Sequence, residues 1–270
     1  MRRDNHWERA ILLSILAKPL IECNLTELEI LFRESIESAV KNCFELNDGK
    51  ISTTLSGGVD SSFCLAMARR FVGDSVEIHT HTVGISADHP DIHFARMAAG
   101  MFGTIHHELI PSAKKIQKVR DIVAFSLPNI ECTNGDVAVF MAYEMMEING
   151  FKAGIAHDGI DEILGGYPAH RFAESAEKKL VAFQTHWDLL QANHLNPLLE
   201  KARYHSVNVI FPYLDFNLVN YLTRIPLNKR TTREVSKIPL REIAKKYLPD
   251  EIIQRKKIGF CSALDQEMKI

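Results

Sequence analysis

Residues 55–62 read Leu55-Ser56-Gly57-Gly58-Val59-Asp60-Ser61-Ser62 and lie between an alternating apolar run and a helical one. Two glycines let a backbone approach a ligand closely, and a strand running straight into a helix leaves a nest of N–H groups under the positive end of the helix. That combination suits an anion, and Ser56, Ser61 and Ser62 add hydroxyl donors for phosphate oxygens. Asp60 fits the same loop only if a divalent cation stands between its carboxylate and the phosphate, because two anions repel. The loop lacks the lysine of GxxxxGK[ST], so γ-phosphoryl transfer is not the chemistry it suggests. A second loop, AHDGIDEILGGY at 156–167, packs Asp158, Asp161 and Glu162 together with three glycines. Acids that close need a cation or a shared proton, the arrangement of a magnesium site or of an acid–base site.

Other groups invite chemistry and are read more plainly. His79, His81, His106 and His107 fall on neighbouring predicted strands, but no carboxylate pattern stands behind them. One face of a strand is the reading there, in preference to a metal cluster. FMAYEMMEI reads as core packing, and Lys178 with Lys179 as a solvated helix face.

The chain has 270 residues, a formal net charge of −2, 46% apolar and 24% charged residues. That balance offers no bulk attraction to nucleic acid or an anionic membrane, so neither is expected as a partner. Cys23, Cys43, Cys64, Cys132 and Cys261 are scattered without a CxxC, which suggests a reducing compartment and no structural zinc. No apolar stretch is long enough to span a bilayer and no cleavable signal is visible; a cytoplasmic location is expected.

The elements that must hold the two loops follow from periodicity. LTELEILFRESIESAVKNCF predicts an amphipathic helix with Thr26 as N-cap and Glu29 completing a capping box. KISTTLSGG, SVEIHTHTVGI, TIHHELI and FKAGIAHDG read as strands; SSFCLAMARRFV, DIHFARMAAGMFG and GDVAVFMAYEMMEING read as the helices between them. From about Tyr167 the pattern is helical only. ERAILLSILAKPLIEC gives a weaker signal for a short helix that packs on the body or mediates contact. The fold class is therefore α/β, a parallel twisted sheet with helices on both faces and a helical C-terminal half. Residues 1–25 read as an N-terminal extension and 26–270 as one domain.

With these motifs in order, the chain resembles the synthetase domain of the asparagine synthetase family, in the ATP pyrophosphatase superfamily. SGGVDSS looks like its pyrophosphate loop, and AHDGIDEILGGY is similar to its signature SGEGSDE-x-x-GGY. FPYLDFNLV and KIPLREIAKKYLPDEIIQRKKIGF are similar to its two later blocks, so the resemblance covers roughly 26–262. It implies an adenine nucleotide α-hydrolase-like fold with ATP and Mg2+ as cofactors. Leu55, Ser56, Gly57, Gly58, Asp60, Ser61 and Ser62 would then cradle the pyrophosphate, and Asp60 with Asp161 would hold the metal. Val83 falls at the adenine-contacting strand and His157 in the nucleotide pocket. Glu162 matches the second acid of the signature, Asp158 the glutamate proposed to handle the amine, and Lys257 the lysine thought to stabilise the charged transition state.

Three departures accompany the match. Ala156-His157 stands where the signature begins Ser-Gly, PLLEKARYHSVNVI lacks an Arg-x-Asp and a Glu-x-Arg, and Asn134 stands near where an arginine is expected. A glutaminase domain is outside the resemblance, since the chain starts Met1-Arg2-Arg3 without a cysteine at position 2. The function implied is an ATP-dependent ligase that adenylates a carboxylate, aspartate being the first guess, and passes it to ammonia or another amine. Partners would be these small molecules, with a separate glutaminase subunit or a second copy as further candidates. A β-lactam or peptide-cyclising type of ligase, an RNA-modifying enzyme of the superfamily and a non-catalytic nucleotide-binding subunit stay open. Joint retention of Asp60, Asp161 and Lys257 argues against the last, and the absence of a basic balance or CxxC against the RNA enzyme.

Overall fold

The computed structural model describes residues 6–255 and 264. α1 (His6–Ala10) and α2 (Leu25–Leu46) lead into an alternation of β1 (Ile51–Thr54), α3 (Val59–Val72), β2 (Ile78–Val83), α4 (Pro90–Met101), β3 (Ile105–Leu109), α5 (Ala113–Ser126), α6 (Asn134–Ile148) and β4 (Ala153–Ile155). There follow α7 (Ile160–Leu164), α8 (Pro168–Arg171), α9 (Ala176–Leu190), a π turn (Gln191–Leu195), α10 (Asn196–Tyr204) and β5 (Asn208–Ile210). A 3-10 turn (Pro212–Leu214), α11 (Phe216–Leu222), α12 (Leu227–Arg230), α13 (Ile238–Ala244) and α14 (Asp250–Gln254) complete the described chain.

All strand pairs are parallel, and the sheet order is β3-β2-β1-β4-β5. Successive strands run outward from β1 in one direction, then from β4 in the other. Right-handed crossovers therefore put α3 and α4 on one face and α6 and α10 on the opposite face. Between β1 and β4 the direction of progress reverses, opening a crevice at the carboxyl ends of the strands where α/β sheets bind ligands. Residues 55–58 and 156–159 leave the sheet there, side by side. The expected parallel sheet with helices on both faces is what the chain forms.

Four local differences have physical causes. Asn24, not Thr26, caps α2, accepting from the Thr26 and Glu27 amides; Glu29 is drawn instead to Tyr247 and Lys246. The apolar run near the N-terminus makes only the five-residue α1, and the rest of it runs through turns and bends, bonding to the Thr223 and Arg224 carbonyls of the helical half. α5 forms on a Ser112 cap in a stretch that periodicity left unassigned. β5 interrupts the helical C-terminal half; three residues are too few for an alternation to show, and it pairs at the sheet edge with β4.

Residues 7–15 are packed into the main core. Trp7, Ala10 and Ile15 are buried in the main core, and the Trp187 indole donates to the Leu13 carbonyl at 2.8 Å. Arg230 is wholly buried and donates to the carbonyls of Ile15, Ile163, Thr223 and Ile225. Burial pushes its guanidinium down to about 9.

The strand histidines pair with one another and with backbone. His79 Nδ1 lies 2.8 Å from His107 Nε2, and the His107 ring stacks on His79 and on His81. His106 lies on the other face, 2.8 Å from the Thr80 hydroxyl. Burial above all, then the charge of His107, pushes His81 down to about 3; burial also lowers His79, His106 and His107. Folding thus lowers these values below the unfolded one, so the native state binds fewer protons. Stability should be full above about pH 6.5 and fall as pH drops. His81→Phe should make that fall shallower by at most about 1.4 kcal/mol per pH unit. Urea denaturation of both chains across the acid range checks this; parallel pH profiles would refute it.

Candidate active site

The loop after β1 is built to bring backbone close to something. Gly57 adopts φ 68°, and a Cβ there would lie 2.3 Å from the Phe94 backbone carbon, so only glycine fits against α4. Gly58 caps α3 with extended backbone. Ser56 Oγ accepts from the Gly58 amide at 3.3 Å and sits 3.2 Å from Ser61 Oγ. The Ser62 hydroxyl and Asp60 Oδ1 are buried and unpartnered among the described residues. Orphaned polar atoms at the start of a fourteen-residue helix fit a bound oxyanion with its cation. Arg255 clamps the loop from outside, donating to the Ser56 carbonyl at 2.6 Å, pairing with the buried Asp91 and lying 4.7 Å over the Phe94 ring.

The loop after β4 is fixed just as tightly. Gly159 has φ 94°, and a Cβ on it would overlap Leu214 at 2.3 Å. A Cβ on Gly166 would lie 1.5 Å from Asp161 Oδ1, so this glycine leaves the space the carboxylate occupies. The backbone amides of Gly165 and Gly166 both donate to the Asp161 carbonyl.

Between the two loops lies Lys237, 2% exposed, at the start of α13 with left-handed backbone (φ 56°). Its Nζ pairs with Asp60 Oδ2 and lies 2.7 Å from Asp161 Oδ1. Burial alone would lower the ammonium, but the charges of Asp161 and Asp60 outweigh it and raise it. Arg241, lowered chiefly by burial, also feels both aspartates. The remaining acids have their own partners. Tyr167 donates to Glu162 Oε1 at 2.6 Å, and burial followed by the Asp161 charge raises the Glu162 carboxyl. His194 Nε2 lies 2.6 Å from Asp158 Oδ1.

The structure thus brings Ser56, Gly57, Gly58, Asp60, Ser61, Ser62, Asp161 and Glu162 to one crevice, with Asp158 at its edge. His157 lies beside β1, its Nε2 3.3 Å from the Thr53 hydroxyl, and burial pushes it down to about 4. Leu55 and Val83 are wholly buried, Val83 beside Val119 and Val137 in the second core cluster, so their side chains serve packing. Lys257 lies outside the described residues. Arg120 from α5 reaches the segment that lacks an arginine, donating to Asn134 Oδ1 at 2.7 Å and to the Cys132 carbonyl at 3.0 Å. Nothing in the sequence around Lys237 marks it; the signals that point to it are two aspartates in need of a cation and its place at the head of KIPLRE. His194 carried none beyond the proline three residues later. Among the described residues no group of three or more His, Cys, Asp or Glu is placed to hold a metal ion, and no helix is long and apolar enough to cross a membrane.

Comparison with known proteins places the chain in a family. The family model described as asparagine synthase matches residues 31–204 and 200–269. Asparagine synthetase 2 (glutamine-hydrolysing) of Oryza sativa subsp. japonica is 26% identical over 259 residues, spanning 87% of this chain and 42% of that protein. Asparagine synthetase B (glutamine-hydrolysing) of Escherichia coli K12 is 26% identical over 255 residues, spanning 86% of this chain and 44% of that protein. The Bos taurus asparagine synthetase (glutamine-hydrolysing) is 26% identical over 259 residues, spanning 90% and 44%. The chain spans less than half the length of these relatives.

The buried charge triad has a measurable consequence. Lys237→Ala should lower folding stability by about 3–5 kcal/mol, because two largely buried carboxylates lose the cation between them. Asp60→Asn added to it should restore part of that loss. Denaturant unfolding of the single and double variants checks the coupling, and additive losses would show the carboxylates are not held by this ammonium.

Proposed function

Because the chain belongs to the asparagine synthase family, we propose that it is an ATP-dependent ligase that activates a carboxylate as its acyl-adenylate and passes it to an amine. The observation that carries this reading is the convergence of Asp60 and Asp161, from separate loops, on one buried ammonium beside the glycine-rich start of α3. The buried orphans Asp60 Oδ1 and Ser62 Oγ make the site an incomplete one that phosphate and cation would complete. Its carboxylate donors are of the hard oxygen type that magnesium takes. Asp60 and Asp161 would hold that ion, which when bound supplies neutralising charge for the leaving pyrophosphate.

The chain's own groups carry the rest. The acceptor carboxylate attacks the α-phosphorus; the bond to the bridging oxygen breaks and pyrophosphate leaves against the Gly57–Gly58 backbone and the serine hydroxyls. Lys237, already charged between the aspartates, stays beside the developing negative charge where a preorganised cation is most effective. Lys257 is assigned the same kind of role from its place in the RKKIGF block. An amine then attacks the acyl carbon, AMP departs with the bonding electron pair, and Asp158 takes the amine proton. Glu162, buried and bonded to Tyr167, sits behind Asp161 and shapes that carboxylate's surroundings. Aspartate is the proposed acceptor and ammonia the proposed nucleophile. The altered Ala156-His157 and Asn134 positions favour a specialised acceptor as the second reading.

ATP–pyrophosphate exchange across candidate carboxylates, aspartate first, tests the adenylation. Asp60→Ala and Asp161→Ala should each abolish AMP formation with an unchanged circular dichroism spectrum; near-normal turnover at saturating magnesium would sink the metal assignment. Lys257→Ala should lower kcat about a hundredfold while ATP affinity changes little. An equal loss in affinity would instead make Lys257 a ground-state phosphate anchor.

A further inference from the structure

The π turn at Gln191–Leu195 joins α9 to α10 without a break in the helical path. Its cause is in the sequence: Pro197 has no N–H to give to the carbonyl four residues back, and the Asn196 amide bonds to Gln191 instead. The widened turn places the His194 ring beside the loop after β4, where Asp158 precedes Gly159, itself packed tightly against Leu214. The ring reaches Asp158 Oδ1 at 2.6 Å and is itself nearly half exposed at the mouth of the crevice. The neighbours of the pair come from every element around it. Asp158 faces His157, Asp161 and, on α6, the buried Tyr143. His194 faces Glu162 on α7 and Lys201 on α10, the latter paired with Asp136.

We propose that His194 is a positioning residue for the amine step: it holds the Asp158 carboxylate by one oxygen, through hydrogen bond and charge, and so presents the other oxygen to the incoming amine. This rests on the adenylating reading above. As the nitrogen bonds to the acyl carbon, its N–H bond breaks and the proton goes to the Asp158 oxygen left open. The acyl C–O bond to AMP breaks with its electron pair. His194 donates its hydrogen bond throughout and exchanges nothing with the substrate. Burial alone would raise the Asp158 carboxyl; the His194 bond and charge lower it. Burial would lower His194, and the Asp158 bond and charge raise it to about 9.

Two substitutions separate bond from charge. His194→Ala should cut amide formation about tenfold or more while leaving ATP–pyrophosphate exchange within about twofold. It should also move the acid limb of the amide-formation profile about one pH unit upward, because desolvation of Asp158 is no longer offset. His194→Gln keeps a donor without the charge, so it should regain part of the rate and still show the displaced limb. Exchange and amide formation falling together, or an unmoved acid limb, would overturn the proposal. Imidazole NMR gives a readout that needs no substrate: His194 should titrate near 9 and fall toward an ordinary histidine value in Asp158→Asn. A His194 that titrates as an ordinary imidazole in the unaltered chain overturns the pairing. Failure of exchange with every carboxylate overturns the adenylating reading instead, and the NMR result still decides the pair.

Discussion

A single ammonium, Lys237 Nζ, joins the start of α3, the start of α7 and the start of α13. Two carboxylates this well buried and this close would drive their loops apart without it. The rest of the local geometry is arranged so that they need not move. Gly166 leaves room for the Asp161 carboxylate, Gly165 lies against Thr231 and Phe183, and the Lys237 amide donates to the Leu164 carbonyl. Even the left-handed backbone of Lys237, unfavourable for a residue with a Cβ, follows from bringing that chain inward at the head of a helix.

The three acids of the second loop do not share one cation. Asp161 takes Lys237, Glu162 takes Tyr167 and Asp158 takes His194. Each carboxylate therefore has a distinct electrostatic setting within five positions of chain. One carboxylate lies against a buried ammonium, one is pushed toward its neutral form by burial, and one is held charged by an imidazole that reaches solvent. Environments that differ this much on adjacent acids divide labour between them.

Much of this architecture was legible in the residues. Glycines at two strand ends, with acids behind them, identify the loops because close backbone approach and positive φ leave few alternatives to glycine. Strands β1 and β2 show as short runs rich in β-branched residues, and the helices between the strands kept a clear period. What escaped was non-local or short. Lys237 meets Asp60 across 177 residues of chain, and no local pattern encodes that distance. β5 has three residues, too few for a period, and the cap moved from Thr26 to Asn24 because either can accept from the first-turn amides. His194 depends on a slipped helical register, legible only as a proline three positions on. Lys257, matched from its block, lies outside the described residues.

Arg230 ties the Ile15 carbonyl to a segment 215 residues later, and Trp187 ties Leu13 across 174. Contacts that distant form late, because the intervening chain must be ordered before they repay its closure. Trp7 and Ile15 are synthesised well before α11 and α12, which pack against that segment and supply the guanidinium that binds the Ile15 carbonyl. Until α12 is made, the segment around Trp7 and Ile15 is thus an uncovered apolar surface. Its risk is misassociation with other nascent chains, and its relief comes only when α12 arrives.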